Sequence, residues 1–220
     1  MKQLLLEQIQ KKPEVLTYLF YDGVKTAKKT CQDVENTEPG YFNALFTTFI
    51  RQLKSIDTHS NLNVDFIKNL RQQCIAGVEF DLFYSTLEEE QISQKDFLKG
   101  QFFGFNLENI ASEQLKKQSI TELKNDPDRY CETNTNGFFK YSGNGIINAA
   151  LDNDVAVAII LDDYNKELKE DQTANDKLKT IIKLVQRLER LHPCPDANCR
   201  TFCMMLLNLE LVKNGMSPVL

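Results

Sequence analysis

The chain has 220 residues, 42% of them hydrophobic and 26% charged, and a formal net charge of -5. This composition is typical of a globular protein with a sizeable core and excludes a fibre or a disordered chain. The acidic balance and the scattered lysines exclude a nucleic-acid surface, which needs a concentrated basic face. The first residues lack the apolar stretch of a signal peptide, and no apolar run approaches the roughly 18 residues of a membrane span. We therefore expect no nucleic-acid partner, no membrane span and a cytoplasmic location.

Amphipathic helices dominate the predicted elements from the N-terminus onward. Apolar residues recur with a period near 3.6 in several segments, which is typical of helices that bury one face. The predicted helices include residues 41–56, 63–78, 156–170 and 176–192. In the last of these, one buried stripe is predicted, made of Leu178, Ile181, Ile182, Val185, Leu188 and Leu191. Residues 201–213 are apolar on nearly every side and stop at Asn214-Gly215, so they predict a helix at the centre of a bundle.

One segment, RYCETNTNGFFKYSG, breaks this helical pattern. Its Asn136-Gly137 pair stands between two short runs of aromatic and β-branched residues. Asn and Gly tolerate the positive φ angles of a tight turn, so the pair predicts a β-hairpin. The predicted fold class is therefore mainly α, a helical bundle with one β-hairpin.

The stretch HPCPDANCR, residues 192–200, separates the last two predicted helices. Pro193 and Pro195 prevent the first helix from continuing. The N-terminus of the second helix then offers unpaired N–H groups and the positive end of the helix dipole, which favour an anion. Arg200 can add bidentate hydrogen bonds to phosphate oxygens.

Two further side chains of this stretch add reactive groups. Asp196 supplies a hard oxygen ligand suited to Mg²⁺ beside a phosphate. His192 is a proton acceptor at neutral pH. A base, a metal-binding carboxylate and an anion-binding turn within one short segment predict phosphoryl or nucleotidyl transfer.

The same residues, His192-Pro-Cys-Pro-Asp196-Ala-Asn198-Cys-Arg200, resemble the motif HxFx(D/E)GN(G/K)R of the Fic (Fido) family. The flanks agree, because an amphipathic helix ends in LERLH and an apolar helix follows. The resemblance covers about residues 161–220 and extends more loosely to the predicted hairpin. It implies a Fic-like helical bundle with a β-hairpin flap and a core domain at 126–220. The helical N-terminal part at 1–125 stays unassigned and can pack as one domain with the rest.

The resemblance also implies the residues that act. In the family the motif histidine is the general base, which deprotonates a Ser, Thr or Tyr hydroxyl of a target protein. This role falls on His192, and Asp196 becomes the Mg²⁺ ligand. Donor binding falls on four residues: Ala197, Asn198, Cys199 and Arg200. ATP or another nucleotide or phosphodiester donor is the implied co-substrate, and the protein substrate is expected to dock on the hairpin near Asn136-Gly137.

The motif departs from the family pattern at three positions. Cys194 replaces a phenylalanine that anchors the loop, and Cys199 replaces a glycine or lysine. Ala197 replaces a glycine; if its φ angle is positive, the alanine costs about 1 kcal/mol and narrows the anion site. An alanine at this position also occurs in family members that transfer phosphocholine. AMP is therefore the default prediction for the transferred group, with phosphocholine and UMP as alternatives.

A regulatory contact is also implied by the resemblance. The family often carries an inhibitory helix with the pattern (S/T)xxxE(G/N), whose glutamate pairs with the motif arginine. The segment Cys31-Gln-Asp-Val-Glu35-Asn36 matches this pattern except at its first residue. It predicts a pairing between Glu35 and Arg200.

Other interpretations stay open. The chain can be a Fic-fold interaction module without catalysis, or a cysteine-dependent transferase or protease. The irregular spacing of the six cysteines favours reduced thiols. A metal site is a further alternative, built from His192, Cys194, Cys199 and Cys203. A transferase of this kind can serve as a toxin, as a secreted effector in a host cytosol or as a housekeeping regulator.

Overall fold

The fold is mainly α-helical, as the sequence predicts. The computed structural model describes residues 2–12, 15–20, 31–56, 60–78, 121, 124–125, 153–170, 173–191, 193–194 and 197–219. These residues form α1 (Lys2–Lys11), α2 (Val15–Leu19), α3 (Cys31–Thr37), α4 (Tyr41–Ser55), α5 (Val64–Cys74), α6 (Asn153–Glu170), α7 (Ala174–Leu191), a π-helical segment (Arg200–Leu206) and α8 (Leu207–Lys213). They contain no strand. The hairpin predicted at Asn136-Gly137 lies outside them.

The chain divides into two compact units. The first combines Met1–Ser60, Lys68–Gln101 and Cys199–Leu220, and the second combines Asn61–Ile67 and Phe102–Asn198. Helix α5 therefore begins in the second unit and continues in the first. The boundary predicted between residues 125 and 126 stays a prediction, since the segment that follows it lies outside the described residues.

The amphipathic helix α4 provides much of the core of the first unit. Leu45, Phe49 and Leu53 repeat every four residues and are fully buried, because positions four apart lie on one face of a helix. Phe49 packs edge-to-face against Phe20, with ring centroids 5.4 Å apart. Helix α4 contacts α1, α3, α8 and the π-helical segment. It therefore connects the N-terminal helices of this unit with its C-terminal segment.

The C-terminal helical segment confirms the prediction of a helix that is apolar on nearly every side. Most of its side chains from Arg200 to Val212 are buried. Its end is also confirmed: Gly215 has a φ of +79°, and Met216 N donates to the Leu211 carbonyl at 2.9 Å. This is a helix stop that requires a left-handed residue. The π-helical geometry of Arg200–Leu206 was not predicted; such segments are rare and recur at functional sites.

Helices α6 and α7 pack against each other in the second unit and are joined by a short connection. Arg187 pairs with Asp163 at 2.6 Å, and Lys183 pairs with Glu167 at 2.7 Å. The predicted stripe of α7 is buried at Ile181, Val185, Leu188 and Leu191. The prediction is wrong for Ile182, which is 41% exposed, because the centre of the buried face runs through Leu184 instead.

Two findings complete the description. None of the described helices is both long and apolar enough to cross a bilayer. Cys74, Cys194, Cys199 and Cys203 are all free thiols, of which the first two are buried. This agrees with the predicted reduced state of these four cysteines.

Candidate functional site

The predicted motif begins in the second unit and ends in the first. The part in the second unit includes Cys194, Ala197 and Asn198, and the part in the first begins with Cys199 and Arg200. His192 and Asp196 lie outside the described residues. Their roles as general base and Mg²⁺ ligand therefore stay predictions.

Ala197 has the backbone conformation that the family pattern reserves for glycine. Its φ angle is +64°, the only positive φ of a non-glycine residue in the described parts of the chain. The Cβ atom makes this left-handed conformation cost about 1–2 kcal/mol. A left-handed residue next to helical residues turns successive N–H groups toward one point, and such turns bind anions. The structure thus keeps a strained backbone at the position where the sequence predicts an anion site.

Asn198 fixes the shape of the loop that precedes it. Its Oδ1 accepts a hydrogen bond from Cys194 N at 3.0 Å, and its Nδ2 donates to the Cys194 carbonyl at 2.7 Å. Both residues are buried. Because the side-chain amide satisfies both backbone groups of Cys194, it holds the loop closed across four residues. The predicted anion-binding role of Asn198 stays a prediction.

Cys194 occupies the position at which the family pattern has a phenylalanine. Its side chain is buried, as an apolar loop anchor requires. The two hydrogen bonds with the Asn198 side chain, one donated and one accepted by Cys194, hold its backbone. Burial in such surroundings makes a thiol a poor nucleophile, because the reactive thiolate is disfavoured away from water. This weighs against Cys194 as the nucleophile of a cysteine-dependent enzyme.

Arg200 lies in a charged and aromatic cluster of the first unit. Its Nη2 pairs with Glu38 Oε2, and its guanidinium carbon lies 4.8 Å from the centroid of the Tyr41 ring. The side chain of Arg200 is 5% exposed and that of Glu38 is 20% exposed. A guanidinium held against an aromatic face and a carboxylate is fixed in place. We call these three residues, Glu38, Tyr41 and Arg200, the Arg200 cluster.

The rest of the local structure positions Glu38 and Tyr41. Glu35, which the sequence predicts as the partner of Arg200, instead accepts hydrogen bonds from Gly40 N at 2.7 Å and Phe42 N at 3.1 Å. Those N–H groups belong to the start of α4, where a carboxylate is favoured. The residue that pairs with Arg200 is Glu38, one turn further along. The predicted pairing is therefore made by a different glutamate, because Glu35 satisfies the start of α4.

A tight turn places Glu38 directly before α4. Gly40 has a φ of +89°, and a Cβ atom at this position would lie 2.2 Å from the carbonyl oxygen of Gly77. Only glycine fits both the backbone angle and the close approach. At the other side of the turn, the Tyr41 hydroxyl donates to the Phe20 carbonyl at 3.3 Å. The turn and this hydrogen bond together fix the acidic and aromatic sides of the Arg200 cluster.

Three of these residues were not identified from the sequence. Glu38 and Tyr41 lie more than 150 positions before Arg200, and no local pattern links them. The Pro39-Gly40 pair predicts a turn, but not what the turn contacts. Thr201, next to Arg200, is also part of this region, and its hydroxyl has no hydrogen-bond partner among the described residues. Only the fold brings Glu38 and Tyr41 to the motif arginine.

Two thiols of the alternative metal site, Cys199 and Cys203, follow Asn198 in the chain. Cys199 is exposed and Cys203 is partly exposed. Among the described residues, no three His, Cys, Asp or Glu side chains form a group that could hold a metal ion. His192, the remaining member of the alternative metal site, lies outside this part of the chain.

The fold and the site together define a mainly α-helical protein with a strained turn leading into a helix that carries a buried arginine. No model of a known protein family matches the chain. The chain is similar to the phosphocholine transferase AnkX of Legionella pneumophila, with 28% identity over 247 residues. The similarity covers 93% of this chain and 25% of that protein. The chain thus spans about a quarter of the length of this relative.

Proposed function

We propose that the chain is a Fic-type transferase that moves phosphocholine from a nucleoside diphosphate choline to a Ser, Thr or Tyr hydroxyl of a target protein. The observation that carries this proposal is the left-handed Ala197 at the predicted anion site. An alanine stands at this position in members of the resembled family that transfer phosphocholine. The similar protein is itself a phosphocholine transferase, and the similarity extends over nearly the whole chain.

The proposed reaction is an in-line displacement at phosphorus. The target hydroxyl oxygen forms a bond to the phosphorus of the phosphocholine group, and the bond from that phosphorus to the rest of the donor breaks. The hydroxyl proton goes to His192, and the leaving group departs with its own phosphate. Positioning and charge stabilisation supply most of the rate in such transfers.

Mg²⁺ fits the residues of the motif. It binds through one or two carboxylates together with the phosphates of a substrate, and Asp196 is the motif carboxylate that would hold it. When bound, the ion neutralises charge on the donor phosphates. The chain's own residues do the rest: the Ala197 turn presents backbone N–H groups to the donor, the Asn198 bridge keeps that turn in shape, and Arg200 supplies positive charge.

Phosphocholine is favoured over AMP by the state of Arg200. In the resembled family the motif arginine binds the outer phosphate of a nucleoside triphosphate. Here it is paired with Glu38 and lies over Tyr41. A donor that presents fewer phosphates depends less on Arg200 than a triphosphate does, so the Glu38 pair disfavours ATP more strongly than a diphosphate-linked donor.

The test is mass spectrometry of proteins from cells that express the wild-type chain or His192→Ala. Wild-type cells should contain target peptides that carry the mass of phosphocholine, and the variant should give none. Purified protein is then incubated with target and with ATP, UTP or a nucleoside diphosphate choline. Adenylylated or uridylylated peptides would correct the donor, and a wild-type chain without any modification would favour the interaction module.

A further inference from the structure

Burial of the Thr201 hydroxyl costs free energy of folding, and no hydrogen bond within its helix offsets this cost. Its side chain is 0% exposed, and its Oγ1 has no hydrogen-bond partner among the described residues. A buried hydroxyl without a partner costs about 1–3 kcal/mol. Valine has nearly the same shape without this penalty, so a threonine at this position needs a reason.

The geometry explains why the usual partner is missing. A helical threonine normally donates to the carbonyl four residues earlier, which here belongs to Ala197. Because Ala197 is left-handed, with a φ of +64°, the helical pattern of carbonyls does not extend back to it. The π-helical geometry from Arg200 onward also departs from the spacing on which that bond depends. The turn at Ala197 therefore removes the carbonyl four residues earlier as a partner, and the hydroxyl does not bond the Asn198 carbonyl three residues earlier either.

The position of Thr201 indicates what the hydroxyl binds. It directly follows Arg200, and side chains of a helix lean toward its N-terminal end. The π-helical segment continues without a break into α8, so Thr201 belongs to the first turn of a long helical stretch. Within the Arg200 cluster, Glu38 is the more exposed side of the ion pair. An anion that reaches Arg200 from solvent would compete with Glu38 for the guanidinium at the first turn of the helix, which also carries Thr201.

We infer that Thr201 is a further donor-binding residue, whose hydroxyl donates a hydrogen bond to a phosphate oxygen of the donor beside Arg200. This inference rests on the proposed function, because it places a phosphate-containing donor at this helix. Thr201 adds a short, uncharged hydrogen-bonding group next to the long, charged side chain of Arg200. A hydroxyl that makes its hydrogen bond only in the complex strengthens binding of the phosphate-containing donor without adding stability to the free chain.

The experiment compares Thr201→Val, Thr201→Ser and wild type in the full chain. Valine removes the hydroxyl at constant shape, and serine keeps it. Thr180→Val, at a buried threonine of α7, is the control for the same substitution elsewhere. Binding of inorganic pyrophosphate in the presence of Mg²⁺ is measured by calorimetry, and the unfolding temperature is measured with and without this ligand.

We expect Thr201→Val to weaken pyrophosphate binding about 10- to 100-fold, the factor that corresponds to a hydrogen bond with a charged group. Its unfolding temperature without ligand should equal or exceed that of the wild type, because an unsatisfied hydroxyl is gone. Thr201→Ser and Thr180→Val should bind like the wild type. In the transfer reaction, Thr201→Val should raise KM for the donor more than it lowers kcat.

Two results would overturn the inference. One is a Thr201→Val variant that binds pyrophosphate as tightly as the wild type, which would leave the hydroxyl as an uncompensated buried group. The other is a wild type that does not bind pyrophosphate at all. The proposed function fails separately: if pyrophosphate binding depends on Thr201 while no phosphocholine reaches a target protein, the anion site stands and the transferase activity does not.

Discussion

Arg187 in the α6–α7 pair and Arg200 in the π-helical segment are both buried arginines paired with a carboxylate, but they are positioned in different ways. Arg187 reaches Asp163 on the preceding helix, 24 residues earlier. Arg200 reaches Glu38, 162 residues earlier. Two helices joined by a short loop bring their facing residues together without further help. The Arg200 cluster instead depends on a turn that only glycine can form, so the first pair stabilises local structure and the second is a product of the fold.

The largest expected effect is at Gly40, in the turn on which the Arg200 cluster depends. Gly40→Ala places a Cβ atom 2.2 Å from the Gly77 carbonyl oxygen at a φ of +89°. Relief requires backbone movement, and we expect a loss of about 3 kcal/mol or more in the free energy of unfolding. Urea unfolding measures this loss.

Gly215→Ala is the matched control for this substitution. Its φ is +79°, but a Cβ atom there meets nothing within 4 Å. Only the backbone penalty applies, so a loss of about 1 kcal/mol is expected. Equal losses in the two variants would show that the turn before α4 does not approach Gly77 closely.

A second test removes one carboxylate from each arginine. Glu38→Gln removes the carboxylate that pairs with the buried Arg200, which should cost about 3 kcal/mol. Asp163→Asn should cost less, because the Asp163 side chain is 31% exposed and water can replace it. Chemical denaturation of both variants gives the two values.

The same two variants differ more sharply in anion binding. Glu38 competes with any phosphate for Arg200, so Glu38→Gln should bind pyrophosphate more tightly than the wild type. Asp163→Asn should bind it unchanged, because Arg187 belongs to the α6–α7 pair. If calorimetry shows that Glu38→Gln binds no better than Asp163→Asn, then Arg200 is a structural arginine like Arg187.

An intermediate effect is expected at two asparagines that make the same bridge. Asn198 holds both backbone groups of Cys194, and Asn165 holds both backbone groups of Leu62 at 3.0 and 2.8 Å. Replacing either by alanine should cost about 2 kcal/mol of stability. Only Asn198→Ala should also abolish transfer, because it alone shapes the predicted anion site. Thermal unfolding and a transfer assay on both variants distinguish the roles, and equal activity would make the Asn198 bridge purely structural.

The smallest effect is expected at Ala197. Ala197→Gly removes the penalty of the left-handed backbone, about 1–2 kcal/mol, but increases the entropy of the unfolded chain by up to about 1 kcal/mol. The net gain in stability should therefore lie between about 0 and 1.6 kcal/mol. The wider turn should accept nucleoside triphosphates more readily, which a comparison of ATP with a nucleoside diphosphate choline would detect. An unchanged donor preference would contradict the role of the Ala197 Cβ atom in choosing the donor.

Helices with a strong apolar period could be predicted from the sequence almost to their ends. Residues 41–56 and 176–192 were predicted, and Tyr41–Ser55 and Ala174–Leu191 were found. The stop at Gly215 could also be predicted, since glycine after an asparagine provides the left-handed residue that ends a helix. The exposure of Ile182 could not, because the edge of a buried stripe is set by the neighbouring helix.

The residues of the candidate site likewise divide into those that the sequence identified and those that only the structure shows. The motif is contiguous, so its spacing identified Ala197, Asn198 and Arg200 as a group. The partner of Arg200 was predicted as Glu35, from a short pattern, and the structure gives Glu38. A pattern of six residues cannot show which of two nearby glutamates is needed by the N-terminus of α4.

The sequence by itself determined that this protein is mainly helical and that its last two long helices are separated by a short interruption; the anion-binding role of that turn stays a prediction. Both properties follow from interactions between residues close in the chain, which local patterns record. Only the tertiary structure decided that Glu38 and Tyr41 hold Arg200, that the Thr201 hydroxyl is buried without a hydrogen-bond partner in the described part of the chain, and that Gly40 must be glycine. These depend on contacts between segments far apart in sequence, where packing and the satisfaction of buried polar groups select the partner.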